Sequence, residues 1–318
     1  MTPSVAFAKA AVIGTGQMGP GIAATLALGG VPVTIVGRTL DSARHGLRMA
    51  RKAILALEEH GIVAAERSNR ALEHLDESTE QEETVAGSDL VIESTPEDLA
   101  FKQDLFCRMD AVAKPEAVLA SNTSGLSITA IASAARNHPE RVLTAHFWNP
   151  PHLMPLVEIV RGEKTDPDRA IVLRDFLRSC GKVAVIVKKD RPGQLGNRLQ
   201  SALMREAIYI VQEGIADPAD VDLAARTGFG LRMPAYGIFE HMDNAGLPLV
   251  YSVIDYVTKD LCNEPGAPPL LREKIDAGKT GAQDGAGFYD WQVRDVRAMR
   301  ERRDAFLLDF LKRYNPGW

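Results

Sequence analysis

The chain has 318 residues, 45% hydrophobic and 25% charged, ordinary values for a globular protein with one large or two average domains. Its formal charge of −5 and pI near 5.9 give no polyanion-binding footprint, which argues against nucleic acid as a partner. Cys107, Cys180 and Cys262 stand far apart, with no His/Cys cluster at metal-ligand spacing, so neither a disulfide framework nor a metal site is expected.

The opening "MTPSVAFAKA" lacks a basic leader followed by an apolar run, and no stretch approaches roughly 18 uninterrupted apolar residues. The expectation is a cytoplasmic protein in a reducing compartment, with no membrane partner. The first half then alternates short apolar runs with longer amphipathic ones. Strands are predicted at 10–14, 33–36, 89–94, 117–122, 141–147, 155–160 and 183–187, and helices at about 18–29, 41–59, 98–113, 127–136 and 167–180. This alternation predicts an α/β fold with a doubly wound, mostly parallel sheet over residues 1–190. After "KKDRPG" (188–193) the spacing of Leu199, Leu203, Ala207 and Ile210 is helical, and the later apolar runs are broken by "DP", "MP" and "EPGAPP". An all-α second domain is expected over 191–318.

Gly14-Thr15-Gly16-Gln17-Met18-Gly19 follows the first strand and opens the first helix. In G-x-G-x-x-G the first glycine permits the tight turn, the second lets backbone approach a pyrophosphate, and the third allows helix and strand to pack closely. The helix N-terminus adds free N–H groups, with Gln17 and Met18 between the glycines. The context is that of a Rossmann-like dinucleotide-binding unit. At the end of the second strand, where such a unit carries an acid for the ribose, this chain has Gly37-Arg38-Thr39. Loss of the acid and the donors of Arg38 and Thr39 lean toward a 2′-phosphate and NADP; a solvated Arg38, with the ribose held by backbone, is the competing reading.

Further on, His146 closes one predicted strand and Glu158 lies on the returning one, after a proline-containing turn. Imidazole beside carboxylate suits alcohol oxidation, because the neutral ring takes the hydroxyl proton and the carboxylate stabilises the imidazolium. A structural His–Glu hydrogen bond is the alternative on spacing alone.

Taken together, "GTGQMG", "VIESTPEDLAFKQDLF" (91–106), "SNTSGL" (121–126), "HFWNPPHLMPLVEIV" (146–160), "KKDRPGQLGNRL" (188–199), "EGIADPADVDLAARTGFG" (213–230) and "GAGFYDW" (285–291) resemble the L-3-hydroxyacyl-CoA dehydrogenase family over nearly the whole chain. The resemblance implies His146 as catalytic base with Glu158 as its partner. It implies Ser124 and Asn197 as hydrogen-bonding groups for the substrate oxygen, and Asn149 as an orienting residue for the histidine. Glu97 and Lys102 match positions near the nicotinamide, family habit favours NAD, and the helical domain implies a homodimer.

For coenzyme A the helical hairpin after the second strand matters. Here Ala53, Glu58, Glu59 and His60 stand where help for an anion would be wanted, while Arg44, Arg48, Arg51 and Lys52 form a basic stripe further up. The later motifs also resemble superfamily members that oxidise unacylated compounds: the gulonate dehydrogenase/lambda-crystallin group, carnitine dehydrogenases and a pyridine-carboxylate dehydrogenase. On that side Arg232, Tyr236 and His241 become candidates for holding a substrate carboxylate, with an interface arginine as the alternative for Arg232.

The first expectation is an NAD(P)-dependent 3-hydroxyacyl-CoA dehydrogenase. A dehydrogenase of a small non-CoA hydroxy acid or aldehyde hydrate is the alternative, and a non-enzymatic, crystallin-like nucleotide-binding protein comes third.

Overall fold

A computed structural model describes residues 7–314. In chain order the first part comprises β1 (Ala10–Ile13), α1 (Gly19–Leu28), β2 (Val33–Val36), α2 (Leu40–Glu59), α3 (Ala65–Glu73), β3 (Leu75–Ser78), α4 (Gln81–Ala86), β4 (Leu90–Glu93), α5 (Leu99–Val112), β5 (Val118–Ser121), α6 (Ile128–Ala132), β6 (Val142–Phe147), β7 (Leu156–Arg161), α7 (Pro167–Ser179) and β8 (Val183–Val187). The eight strands form one sheet in the order β3-β2-β1-β4-β5-β6-β7-β8. Every neighbouring pair is parallel except β6 and β7, which are antiparallel.

The apolar runs become strands because both faces of the sheet are covered. β1, β2, β4, β5 and β6 are buried at every position, the pattern of a parallel sheet between helical layers. Helix α1 is buried along its whole length. Helix α2 instead buries one stripe, Ala43, Leu47, Ala50, Ile54 and Leu57, and its start is fixed by a reciprocal cap between Thr39 and Ser42. Each fully buried Leu or Ile contributes on the order of 1.5–3 kcal/mol relative to exposure. The expected strands and long helices are present, and the doubly wound architecture with them. The structure adds α3, β3 and α4, which the sequence reading did not anticipate.

The helical part consists of α8 (Gly196–Gln212), α9 (Pro218–Thr227), α10 (Phe229–Arg232), α11 (Ile238–Ala245), α12 (Leu247–Val257), α13 (Pro269–Asp276) and α14 (Val296–Tyr314). By contacts the chain divides into two compact units: residues up to Asn197 together with those from Arg302 onward, and residues 198–301. The last segment therefore groups with the sheet, whereas the sequence reading assigned all of 191–318 to the helical part. The physical reason is the apolar face of α14: Leu308 and Leu311, one turn apart, are buried in the core of the sheet unit. Among the described residues no helix is long and apolar enough to cross a membrane.

Candidate active site

At the carboxyl ends of β1 and β4, where the strand order reverses, lies a cavity of about 790 Å³. Gly14, Gly16, Gln17 and Met18 line one wall. A Cβ at Gly14 would strike the Ser94 carbonyl and one at Gly19 the Gly14 carbonyl, while Gly14 also has φ +117°. Gly16 differs, since a Cβ there would meet nothing within 4 Å. Its missing side chain leaves room on the cavity wall for a ligand against the backbone. Met18, the N-cap of α1, supplies no side-chain acceptor, so the first-turn N–H groups and the positive helix end remain for a pyrophosphate. These features fit a dinucleotide.

Beyond the ends of β2 and β3 the lining continues with Gly37, Arg38, Ser42, Thr79 and Gln81. A Cβ at Gly37 would lie 2.5 Å from Ala43 N and 2.6 Å from Ser42 Oγ, so packing against α2 leaves no room for an acid at this position. Arg38 is exposed on the wall. Thr39 is not a lining residue; its hydroxyl accepts the Ser42 N–H at 3.2 Å in the cap of α2, and Ser42 faces the cavity in its place.

On the β4 and β5 side of the cavity Glu97 accepts three hydrogen bonds on one oxygen, from Thr123 Oγ1 (2.5 Å), Ser124 N (2.9 Å) and Gly125 N (3.1 Å). Burial alone would push its carboxyl up, but these bonds and the Lys102 charge outweigh it and hold Glu97 below the usual carboxylate range. Lys102 is buried and does not line the cavity. Its ammonium lies 2.6 Å from Glu93 Oε1 and 3.7 Å from Glu97 Oε2. Glu93, fully buried at the end of β4, also accepts from Thr95 N, Thr95 Oγ1 and Ser121 Oγ. Sequence reading missed this carboxylate; the signal was an acid inside an apolar strand with a lysine nine residues on.

His146 and Glu158 are directly opposite in the β6–β7 ladder, and His146 Nδ1 lies 2.9 Å from Glu158 Oε2. That oxygen also accepts Trp148 Nε1–H at 3.0 Å, while Oε1 accepts the N–H groups of Leu195 (2.9 Å) and Gly196 (2.8 Å). Burial pushes the Glu158 carboxyl up, and the bonds from His146, Gly196, Trp148 and Leu195 more than reverse this, holding it below its ordinary value. An ionised acceptor makes His146 Nδ1 the protonated nitrogen in the neutral ring, leaving Nε2 to receive a proton.

His146 is itself 4% exposed and is not on the wall of the large cavity. Two neighbours connect them. Asn122, on that wall, accepts the Phe147 N–H at 2.8 Å, and Asn197 Nδ2 donates to the carbonyl of Ser124, also on the wall, at 3.1 Å. The Asn149 side chain is exposed and makes no hydrogen bond to His146 among the described residues; Glu158, braced by Trp148, is the histidine's partner instead. Trp148, Asn122 and Gln194, whose side chain donates to the Thr123 carbonyl, are site residues that sequence reading did not single out.

Within the helical unit, Arg232 Nη2 lies 3.1 Å from His241 Nε2, and Tyr236 OH lies 3.2 Å from His241 Nδ1. The three candidates thus form one cluster. Among the described residues no group of His, Cys, Asp and Glu has the arrangement of a metal site.

Comparison with known proteins covers both parts of the chain. The family model described as 3-hydroxyacyl-CoA dehydrogenase, NAD binding domain, matches residues 9–191, and that for the C-terminal domain matches 193–291. The 5-formyl-3-hydroxy-2-methylpyridine 4-carboxylate 5-dehydrogenase of Mesorhizobium japonicum is 36% identical over 92% of this chain and 94% of its own. A probable 3-hydroxybutyryl-CoA dehydrogenase of Bacillus subtilis is 36% identical over 89% and 97%. A solved structure of the pyridine-carboxylate enzyme, described as an NAD+ dependent dismutase, superposes with a TM-score of 0.89 at 34% identity, covering 98% of this chain and 99% of that one. The 3-hydroxybutyryl-CoA dehydrogenase of Ralstonia eutropha gives 0.74 at 27% identity, covering 90% and 99%. With its dinucleotide cradle and both halves matched, the chain belongs to the 3-hydroxyacyl-CoA dehydrogenase family of NAD-binding oxidoreductases.

Proposed function

We propose that this dehydrogenase acts on a small free carboxylate, oxidising its hydroxyl group or the hydrate of an aldehyde it bears, rather than on a 3-hydroxyacyl-CoA. The observation that carries the reading is the likeness to the pyridine-carboxylate dehydrogenase, with a TM-score of 0.89 over 98% of the chain. Solved 3-hydroxybutyryl-CoA dehydrogenases give 0.74 and 0.75 over 90% and 91%. The hairpin supports it as well, because Ala53 is buried in the core and Glu59 and His60 are exposed where a nucleotide phosphate would want cations. The CoA-ester reading has the 36% identity to the Bacillus protein behind it.

When bound, the nicotinamide ring supplies the hydride acceptor. The chain's residues do the rest. His146 Nε2 takes the hydroxyl proton while Nδ1–H stays on Glu158, and the ionised Glu158 stabilises the imidazolium. Ser124 and Asn197 offer donors to the developing alkoxide. Asn122 and the Glu97 cluster hold the loop between them. Within the helical unit, Arg232 with Tyr236 and His241 beside it is the candidate for binding a carboxylate.

NAD is the cofactor of the family, and the wall formed by Arg38 and Ser42 supports acceptance of a 2′-phosphate too. Arg38→Ala should weaken NADP(H) about ten-fold, the value of one charge-assisted contact, with little change for NAD(H); equal effects remove that part. The helical unit exposes Phe239 and Tyr256 at 79% each and Tyr251 at 72%, which supports a homodimer, checked by light scattering.

The decisive experiment measures initial rates with acetoacetyl-CoA against free hydroxy acids and pyridine aldehyde-carboxylates, with each nicotinamide cofactor. Turnover of the CoA ester alone overturns the substrate reading. Unchanged turnover in His146→Gln overturns the mechanism.

A further inference from the structure

Away from the dinucleotide cavity, a second concavity of about 440 Å³ is enclosed by the end of β7, the segment after β8 and the start of α6. Arg161, Lys188, Lys189 and Arg191 line it, along with Glu163 and Asp190. None of these six forms an ion pair among the described residues. The Asp190 carboxylate is otherwise engaged, accepting Ser127 Oγ–H at 2.5 Å and Thr129 N–H at 2.9 Å. Arg161 Nε is buried and has no hydrogen-bond partner among the described residues. A buried guanidinium N–H normally finds an acceptor, and like charges are not normally gathered without one.

We infer that this concavity is a binding site for a phosphate-bearing anion, with Arg161 as its anchor. Four cations against two carboxylates leave a formal excess of two positive charges, which a phosphate dianion matches and a carboxylate monoanion does not. The arginines offer forked donors suited to phosphate oxygens.

The site's position suggests what occupancy does. Two of its three walls are segments that also build the catalytic region. One runs from Thr123 and Ser124 to Thr129; the other runs from Lys188 to Leu195, Gly196 and Asn197, whose donors reach Glu158 and the Ser124 carbonyl. The Ser127–Asp190 contact ties them together between the two sites. An anion bridging Arg161 to Lys188 pins the second segment near its origin and so steadies the donors on Glu158.

The test is calorimetric titration of the full-length protein with inorganic phosphate, pyrophosphate and glycerol 2-phosphate. Ionic strength is held constant, and saturating NAD+ keeps the dinucleotide cradle filled. We expect one saturable site per chain for at least one of the three, weakened at least ten-fold in Arg161→Gln/Lys188→Gln with NAD+ binding retained. Tighter binding of the ester identifies a phosphorylated metabolite as the source, and tighter binding of inorganic phosphate or pyrophosphate identifies the free ion. No saturable binding by the wild-type protein, equal binding by the variant, or acetate binding as tightly as phosphate overturns the proposal. The wild-type arm decides even if the variant does not fold, and no arm depends on the identity of the oxidised substrate.

Discussion

Glu97 Oε1 and the backbone N–H of Ser124 meet at 2.9 Å, so one side chain from the β4–α5 connection sets the course of the loop that follows β5. Thr123 and Gly125 donate to the same oxygen. Glu97→Gln keeps the shape but loses the charge-assisted character of three bonds and turns an amide dipole toward Lys102. Hydrogen bonds to charged groups contribute about 1.5–3 kcal/mol, so kcat/KM should fall on the order of 10- to 100-fold. Steady-state kinetics beside a fluorescence titration of NAD+ would check this. Unchanged kcat/KM would mean that the loop holds Ser124 without the carboxylate.

Lys102 carries a different load. It is buried against the fully buried Glu93, so Lys102→Met should strand a carboxylate in the interior and cost about 3–5 kcal/mol. The double variant Lys102→Met/Glu93→Gln should recover most of that loss, because the remaining groups are neutral. Urea unfolding of the wild type, Lys102→Met, Glu93→Gln and the double variant gives the coupling directly. Additive losses would show that the two side chains do not depend on each other.

Much of this molecule is legible from its sequence, for reasons visible at particular residues. β1, β2, β4, β5 and β6 are apolar because both faces are covered, and that condition writes itself into "AAVI" or "VTIV". β3 is "LDES", an edge strand with a single buried anchor, Leu75; its pairing to β2 is a tertiary event with no local periodicity to announce it. The His146–Glu158 pairing was readable because a turn joins adjacent strands. Trp148 was not singled out, since its indole acts through Glu158 and nothing in its spacing separates it from a packing aromatic. Lys102 matches a position near the nicotinamide by motif; its ammonium lies off the cavity wall, 2.6 Å from Glu93 and 3.7 Å from Glu97. Only coordinates distinguish a residue on a wall from one supporting it.

Position 37 provides a steric test. Introducing the missing acid as Gly37→Asp would force a Cβ against Ala43 N and Ser42 Oγ, so α2 must shift. Overpacking of this kind costs about 1–3 kcal/mol, and affinity for both dinucleotides should drop with the displaced wall. Arg38→Asp, at an exposed position, should fold normally and move preference toward NAD+. Melting temperatures and dissociation constants for both cofactors separate the outcomes; a stable Gly37→Asp protein would show that α2 yields easily.

His152, in the β6–β7 turn beside Gly21 of α1, is held down to about 4 from an ordinary 6.5, first by burial and then by the Lys182 charge, with Asp304 opposing. Its sign follows from proton binding. Between pH 6.5 and about 4 the unfolded chain protonates this ring and the folded chain does not, so acidification favours unfolding across that window. Stability should decline by about 3 kcal/mol from this residue alone, with most of the loss reached near the lower bound. Glu97 and Glu158 act elsewhere: their folded values lie below the ordinary 4.5, so what they contribute is intact above it and lost only as pH falls further. Burial holds the neighbouring Lys182 ammonium down to about 7, so urea midpoints at roughly pH 6.0 and 5.0, below that value, follow the histidine. His152→Gln should flatten that slope while leaving the steeper loss below 4.5 in place, and a variant with the wild-type slope would mean the ring takes up its proton in the folded protein.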